Sequence, residues 1–149
     1  MCRAHPAAIV APVVWNRPSA VADEPEYSLL RTACGTITLE AADLSPGVHN
    51  ADGHMIAQAM TGTPGHVNTM ATAVGHFFKK YPQSSMKPGD VYVTNDPWLG
   101  TGHLFDYVLM TPVFLGKKLV AFFASTCHVL DVGGVGRSAK ANSSFEEGT

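Results

Sequence analysis

A chain of 149 residues, 46% hydrophobic and 15% charged, holds enough apolar material for one domain with a real core and excludes a disordered polymer. A net charge of −2 and a pI near 6.3 exclude a general nucleic-acid binder, the only adjacent lysines being Lys79-Lys80 and Lys117-Lys118. No apolar run approaches the roughly 18 residues of a membrane span, and three widely spaced cysteines, Cys2, Cys34 and Cys127, fit reduced thiols in a cytoplasmic chain better than a disulfide framework.

Residues 1–34 form the first region. The apolar run at 7–11 behind Arg3 loosely imitates a secretory signal, but Pro12 interrupts it and Asn16-Arg17 ends it early, so no leader is expected. Pro6, Pro12, Pro18 and Pro25 predict against a long regular helix before Glu26, because an interior proline removes a hydrogen bond and collides with the preceding turn. The region is expected to be irregular or only partly helical.

Residues 35–149 read as one domain. Gly35-Thr36-Ile37-Thr38-Leu39 is β-branched and predicts a strand, and residues 47–58 predict a hairpin turning at Ala51-Asp52-Gly53. The period then changes. Val67, Met70, Val74, Phe77 and Phe78 recur at three- and four-residue steps, predicting an amphipathic helix entered after Pro64-Gly65 and stopped by Pro82. Strands follow at 91–93, 107–110 and 119–124, the last two joined through Pro112 and the Leu115-Gly116-Lys117-Lys118 turn. The expected class is α+β, a mostly antiparallel sheet with one main amphipathic helix.

Two glycine-bounded segments carry the chemistry: residues 95–106, with His103 and Asp106, and residues 127–134, with His128 and Asp131. Antiparallel pairing of the last two strands brings His103 or Asp106 and His128 to the same end of the sheet. Imidazole and carboxylate together suit a divalent cation such as zinc or manganese, whereas a thiolate site would need cysteine pairs. Asp131 either orients a ligand or caps the Gly133-Gly134 loop. Asp96, before Pro97, is equally a turn-former. His66 follows a proline-glycine turn and either faces substrate or caps the helix. His5, His49, His54 and His76 have no convergent context and are expected on the surface or in packing. Residues 133–138 lack the lysine and spacing of a phosphate loop, leaving Arg137 as a possible contact for an anionic substrate. Cys127 reads as a small buried side chain, and Cys127 and His128 should point to opposite faces of their strand, which speaks against a nucleophilic pair.

Several motifs in order give a family resemblance: Glu40-Ala41-Ala42-Asp43-Leu44-Ser45, Ala51-Asp52-Gly53, Pro64-Gly65-His66, Asn95-Asp96-Pro97 through Gly102-His103 with Asp106, His128 with Asp131-Val132-Gly133-Gly134, and Glu146-Glu147-Gly148. The chain from Ile37 to Thr149 resembles the opening third of the hydantoinase B/oxoprolinase family, whose members include subunits of hydantoinases, oxoprolinases and ketone carboxylases. The resemblance implies a truncated relative of a larger domain, and a continuous helix at the segment ending near Leu29-Leu30-Arg31-Thr32-Ala33, against the proline argument. It implies a metal held by Asp43, His103, Asp106 and His128, with His66 and Asp131 as candidate catalytic residues beside it. It further implies an ATP-dependent hydrolase of cyclic amides such as hydantoins or 5-oxoproline, ATP entering only through a partner A subunit, in an oligomeric assembly. The alternatives are a ketone carboxylase component and a truncated, non-catalytic interaction module.

Overall fold

The structure, a computed structural model, describes residues 6–60, 62–135 and 140–148. The first element overturns the proline argument. Helix α1 runs unbroken over Pro6–Thr32 with Pro12, Pro18 and Pro25 inside it. Pro6 occupies the first turn, where a missing N–H is harmless. Much of the helix surface is exposed, Trp15 being 71% exposed, so carbonyls that lose a partner to proline lie within reach of water. The helix is held by tertiary contact: it lies along strands β1 (Leu44–Asn50) and β2 (Met55–Gln58), buries Ala22 and Glu26, and its Asp23 Oδ1 accepts from the Met60 amide at 2.9 Å.

The second correction concerns residues 35–39. They form not a strand but the single-turn helix α2, Thr36–Ala41. Buried Thr38 donates its hydroxyl to the His128 carbonyl at 2.9 Å, and Leu39 donates its amide to the Gly35 carbonyl at 2.8 Å. The first bond joins residues 90 apart in the chain, and a bond of that kind overrides the local preference of β-branched residues. Ala42 ends the turn at a φ of 51°, a left-handed value that costs a residue with a Cβ about 1 kcal/mol.

The remaining elements follow their sequence signals. Strands β1 (Leu44–Asn50) and β2 (Met55–Gln58) form the hairpin, and Asn50 Oδ1 accepts from the amides of Asp52 and His54 across its turn. Helix α3 spans Pro64–Lys80, with proline in its first turn and Lys79 and Lys80 at its C-terminal end, where the helix dipole favours cations. Strand β3 (Tyr92–Thr94) precedes β4 (Asp106–Leu115) and β5 (Lys118–His128), which are joined by a tight turn with Gly116 at a φ of 62°. The five strands are ordered β2-β1-β5-β4-β3, every pair antiparallel. Pro112 lies beyond the part of β4 that β3 pairs with, so its missing N–H breaks no ladder there.

Helix α3 covers one face of the sheet. Its Met70, Ala73, Val74 and Phe77 form the core with Val108 and Met110 of β4 and Phe122 and Ala124 of β5. Strand periodicity puts Asp106 on the Val108–Met110 face and His128 on the Phe122–Ala124 face, so both lie under the N-terminal end of α3. The other face is more open: an apolar trough of about 550 Å³ is lined by Leu29, Tyr107, Leu109, Phe123 and Cys127. Cys127 is thus half-buried on the face opposite His128, as the strand alternation requires, and not fully enclosed. No helix among the described residues is long and apolar enough to cross a membrane.

Candidate metal centre

Two neighbouring strands and the residue leading into a third deliver three side chains at one level of the sheet. In the β4–β5 ladder Asp106 stands opposite His128, and the His128 amide donates to the Asp43 carbonyl at 3.1 Å just before β1 begins. Asp43, His128 and Asp106 therefore lie side by side at one end of the sheet, although they are far apart in the chain. Asp106 and His128 are buried, and Asp43 is partly open.

Two more histidines close over this rung. His66 sits in the first turn of α3, and Thr63, the residue just before that helix, donates its hydroxyl to Asp43 Oδ1 at 2.9 Å and so ties the helix start to the rung. His103 comes from the loop between β3 and β4. That loop is shaped by Asp96, whose Oδ1 accepts from the Trp98 amide at 2.9 Å, and by Gly102 at a φ of 106°, a conformation for which glycine is suited. Asp96 is thus a turn-former.

All three imidazoles converge on one carboxylate. His66 Nε2 and His103 Nε2 lie 3.0 and 2.8 Å from Asp106 Oδ2, and His128 Nδ1 lies 2.9 Å from Asp106 Oδ1. Thr101 adds a short hydroxyl bond to Oδ2. Asp43 stands behind them, its Oδ1 3.4 Å from His66 Nδ1 and its Oδ2 3.7 Å from His128 Nδ1. The Phe105 ring stacks on His128 at 5.4 Å and meets His103 at 5.8 Å, giving the cluster an apolar wall. His103 and Asp43, each between a fifth and a quarter exposed, are its open side.

The electrostatics follow from this crowding. Burial pushes the Asp106 carboxyl up, but hydrogen bonds from His103, His66 and Thr101 and the charge of His66 outweigh it and hold the group well below the usual carboxylate range. Burial pushes the His66 imidazole down, and the bond to Asp106 with the charges of Asp106 and Asp43 reverses this and raises it. His103 is raised chiefly by its bond to Asp106. Asp106 is thus held as an anion in a buried pocket by the hydrogen bonds of its imidazole and hydroxyl neighbours.

The same residues suit a divalent cation. Donor atoms of His103, Asp106 and His128 lie within 4.8 Å of one another, as do those of Asp43, His66 and Asp106. Buried Nδ1 of His66 makes no well-formed hydrogen bond among the described residues and has Asp43 Oδ1 at 3.4 Å, so the pocket is polar on this side too. Three imidazoles and two carboxylates are a donor set for zinc or manganese rather than for a thiophilic metal.

Of the six residues singled out from the sequence, five meet in this cluster: Asp43, His66, His103, Asp106 and His128. His66 is neither a surface residue nor a simple helix cap; it is 8% exposed and bonded into the group. Asp131 stands apart, exposed, with Oδ1 accepting from the Gly133 amide at 2.7 Å, so it caps the glycine loop. Arg137 lies outside the described residues. Thr63, Thr101, Phe105 and Glu147 escaped the sequence reading. Thr101 and Phe105 lie inside the 95–106 segment and Glu147 inside the Glu146-Glu147-Gly148 motif, but no role attached to them there, and Thr63 carried no signal.

The family model described as hydantoinase B/oxoprolinase matches residues 7–149. The chain is 36% identical to 5-oxoprolinase 1 of Arabidopsis thaliana over 120 residues, which is 80% of this chain and 9% of that protein. The nucleotide-free structure of an acetone carboxylase superposes with a TM-score of 0.71 at 25% identity, covering 84% of this chain and 17% of that one. The ATP-dependent caprolactamase of Pseudomonas jessenii shares the fold, with a TM-score of 0.59 at 24% identity over 83% of this chain and 22% of that one. The chain spans about a tenth of the length of the first curated relatives it matches. The chain belongs to the hydantoinase B/oxoprolinase family.

Proposed function

We propose that this chain forms the metal-binding part of an ATP-dependent hydrolase of cyclic amides, of the hydantoinase or 5-oxoprolinase type, and that it works with a separate nucleotide-binding A component. The observation that carries the reading is the convergence of His66, His103 and His128 on buried Asp106 with Asp43 beside them. Asp43, His103, Asp106 and His128 would hold a zinc or manganese ion. Bound there, a divalent cation supplies Lewis-acid polarisation of a substrate oxygen or a water. Asp106 fixes the three imidazole rings in place, and Phe105 keeps water from their far side. His66, its Nε2 beside Asp106 Oδ2, stands where it can hold a proton for an incoming amide. Asp43 and His103, on the open side, meet a substrate first.

An unstrained amide is a poor electrophile, and no phosphate-binding loop occurs in the sequence. In this reading the A component uses ATP to activate the amide oxygen before ring opening. The likeness to an acetone carboxylase at a TM-score of 0.71 favours a second reading, in which the same site serves carboxylation of a ketone.

Elemental analysis and activity together test the proposal. Wild-type chain is expected to carry one zinc or manganese, and the His103→Ala/His128→Ala variant to carry none; equal metal in both refutes the site. With an A component and ATP, ring opening of hydantoin or 5-oxoproline supports the hydrolase, whereas turnover of acetone and bicarbonate alone selects the carboxylase.

A further inference from the structure

Glu147 is a buried carboxylate that the mechanism above does not use. It lies at the end of the short helix α4, Ser144–Glu147, and is 7% exposed. Its Oε2 accepts from the backbone amide of Leu104 at 2.7 Å, across 43 residues of chain. Leu104 is the residue next to His103. The loop carrying His103 turns at Gly102, and glycine leaves that backbone free to take other conformations unless something holds it.

A backbone latch fixes Glu147 in turn. Gly133 bridges Gly148, the Val135 amide donates to the Glu146 carbonyl at 2.7 Å, and Gly134 lies so close to the Glu146 and Glu147 backbone that no side chain would fit there. Asp131 holds the same loop through the Gly133 amide. The two glycines that resemble a phosphate loop in sequence thus serve to seat a carboxylate under the His103 loop. Burying a carboxylate is unfavourable unless its charge is used, and here one charge-assisted bond goes to a neutral amide.

We propose that Glu147 is a positioning residue for the candidate metal site: by gripping the Leu104 amide it fixes His103 in the geometry that a divalent cation requires. This rests on the metal-site reading. Glu147 touches neither Asp106 nor the other imidazoles in any contact seen here, so it acts through Leu104 and His103. Partners of this kind behind a ligating histidine typically change metal affinity by about 10- to 100-fold.

The test is zinc affinity by competition with a chromophoric chelator, with cobalt absorption as a report on ligand geometry. Glu147→Ala is expected to weaken zinc binding about 10-fold or more and to alter the cobalt bands. Glu147→Gln, whose amide oxygen still accepts from Leu104, should stay within about 3-fold of wild type, and the control Glu146→Ala, at an exposed carboxylate, should match wild type. In a His103→Ala background the further change Glu147→Ala should have less than about a 2-fold effect, because the ligand it positions is gone. A folded Glu147→Ala protein with wild-type zinc affinity and cobalt spectrum overturns the proposal, as does an undiminished effect in the His103→Ala background. Should Glu147→Ala not fold, Glu147→Asp, one methylene too short to reach the amide, takes its place with the same expected and overturning results. Failure of the wild-type chain to bind zinc or cobalt refutes the metal site itself and is distinct from both.

Discussion

His49 offers the cleanest quantitative test of the packing of the sheet. It lies in β1, fully buried at 0% exposure, opposite Phe122 of β5, and neither ring nitrogen makes a well-formed hydrogen bond among the described residues. Burial pushes its pKa down from 6.5 to about 4, and the nearby Gly47 backbone offsets this only in part. The unfolded chain therefore binds a proton below pH 6.5 that the folded chain refuses. Folding stability is unaffected by His49 above that value, falls as the pH drops from 6.5 towards 4, and then levels off. With these two values the loss between pH 7 and pH 5 is about 2 kcal/mol. His66 and His103, whose pKa values are raised, act in the opposite sense: the stability they contribute is full below pH 6.5 and is lost as the pH rises through their folded values. Comparison with His49→Leu, similar in volume, cancels those terms. Urea unfolding of both proteins in EDTA, at half-unit steps from pH 7.5 to 4.5, should show the difference, wild type minus His49→Leu, shifting against wild type by about 2 kcal/mol at pH 5. A difference constant to within about 0.5 kcal/mol across that range would refute a neutral buried His49.

Three further outcomes are expected. Zinc at 100 times its Kd should stabilise wild type by about 2.7 kcal/mol in denaturant titrations and leave the His103→Ala/His128→Ala variant unmoved; equal stabilisation would place the ion elsewhere. The chain alone, with zinc and ATP but without an A component, should open no hydantoin or 5-oxoproline ring by chromatography. Product formed by this chain alone and abolished in Asp106→Ala would show that amide activation does not need the partner. Ala42→Gly should raise stability by up to about 1 kcal/mol, since it removes the left-handed strain before Asp43, and a melting temperature that falls would show that the alanine methyl is needed there.

Helix α3 and the strands were legible because their signals are local. Met70, Val74 and Phe77 repeat at helical spacing, Gly116 marks a turn between two apolar runs, and antiparallel pairing of those runs brings Asp106 and His128 to the same end of the sheet, although only the register shift between Val113 and Phe114 sets them directly opposite. Alternation along β5 likewise separates Cys127 from His128. The ligand chemistry, imidazoles and carboxylates without paired thiols, is a matter of composition and was open to reading without any structure.

Tertiary structure decided what local rules misjudge. Three prolines argue against α1, yet contact with β1 and β2 and an exposed surface on which freed carbonyls can meet water make the helix tolerable. A β-branched run became α2 because Thr38 found the His128 carbonyl 90 residues away. His66 had two readings until the Thr63 hydroxyl met Asp43 and set the first turn of α3 over the sheet end. Glu147 was visible only as part of a motif, because its partner is a backbone amide, which every residue but proline carries. Periodicity and turn residues act over a few positions and can be read along the chain; hydrogen bonds and burial between segments 40 to 90 residues apart exist only once the chain has closed on itself.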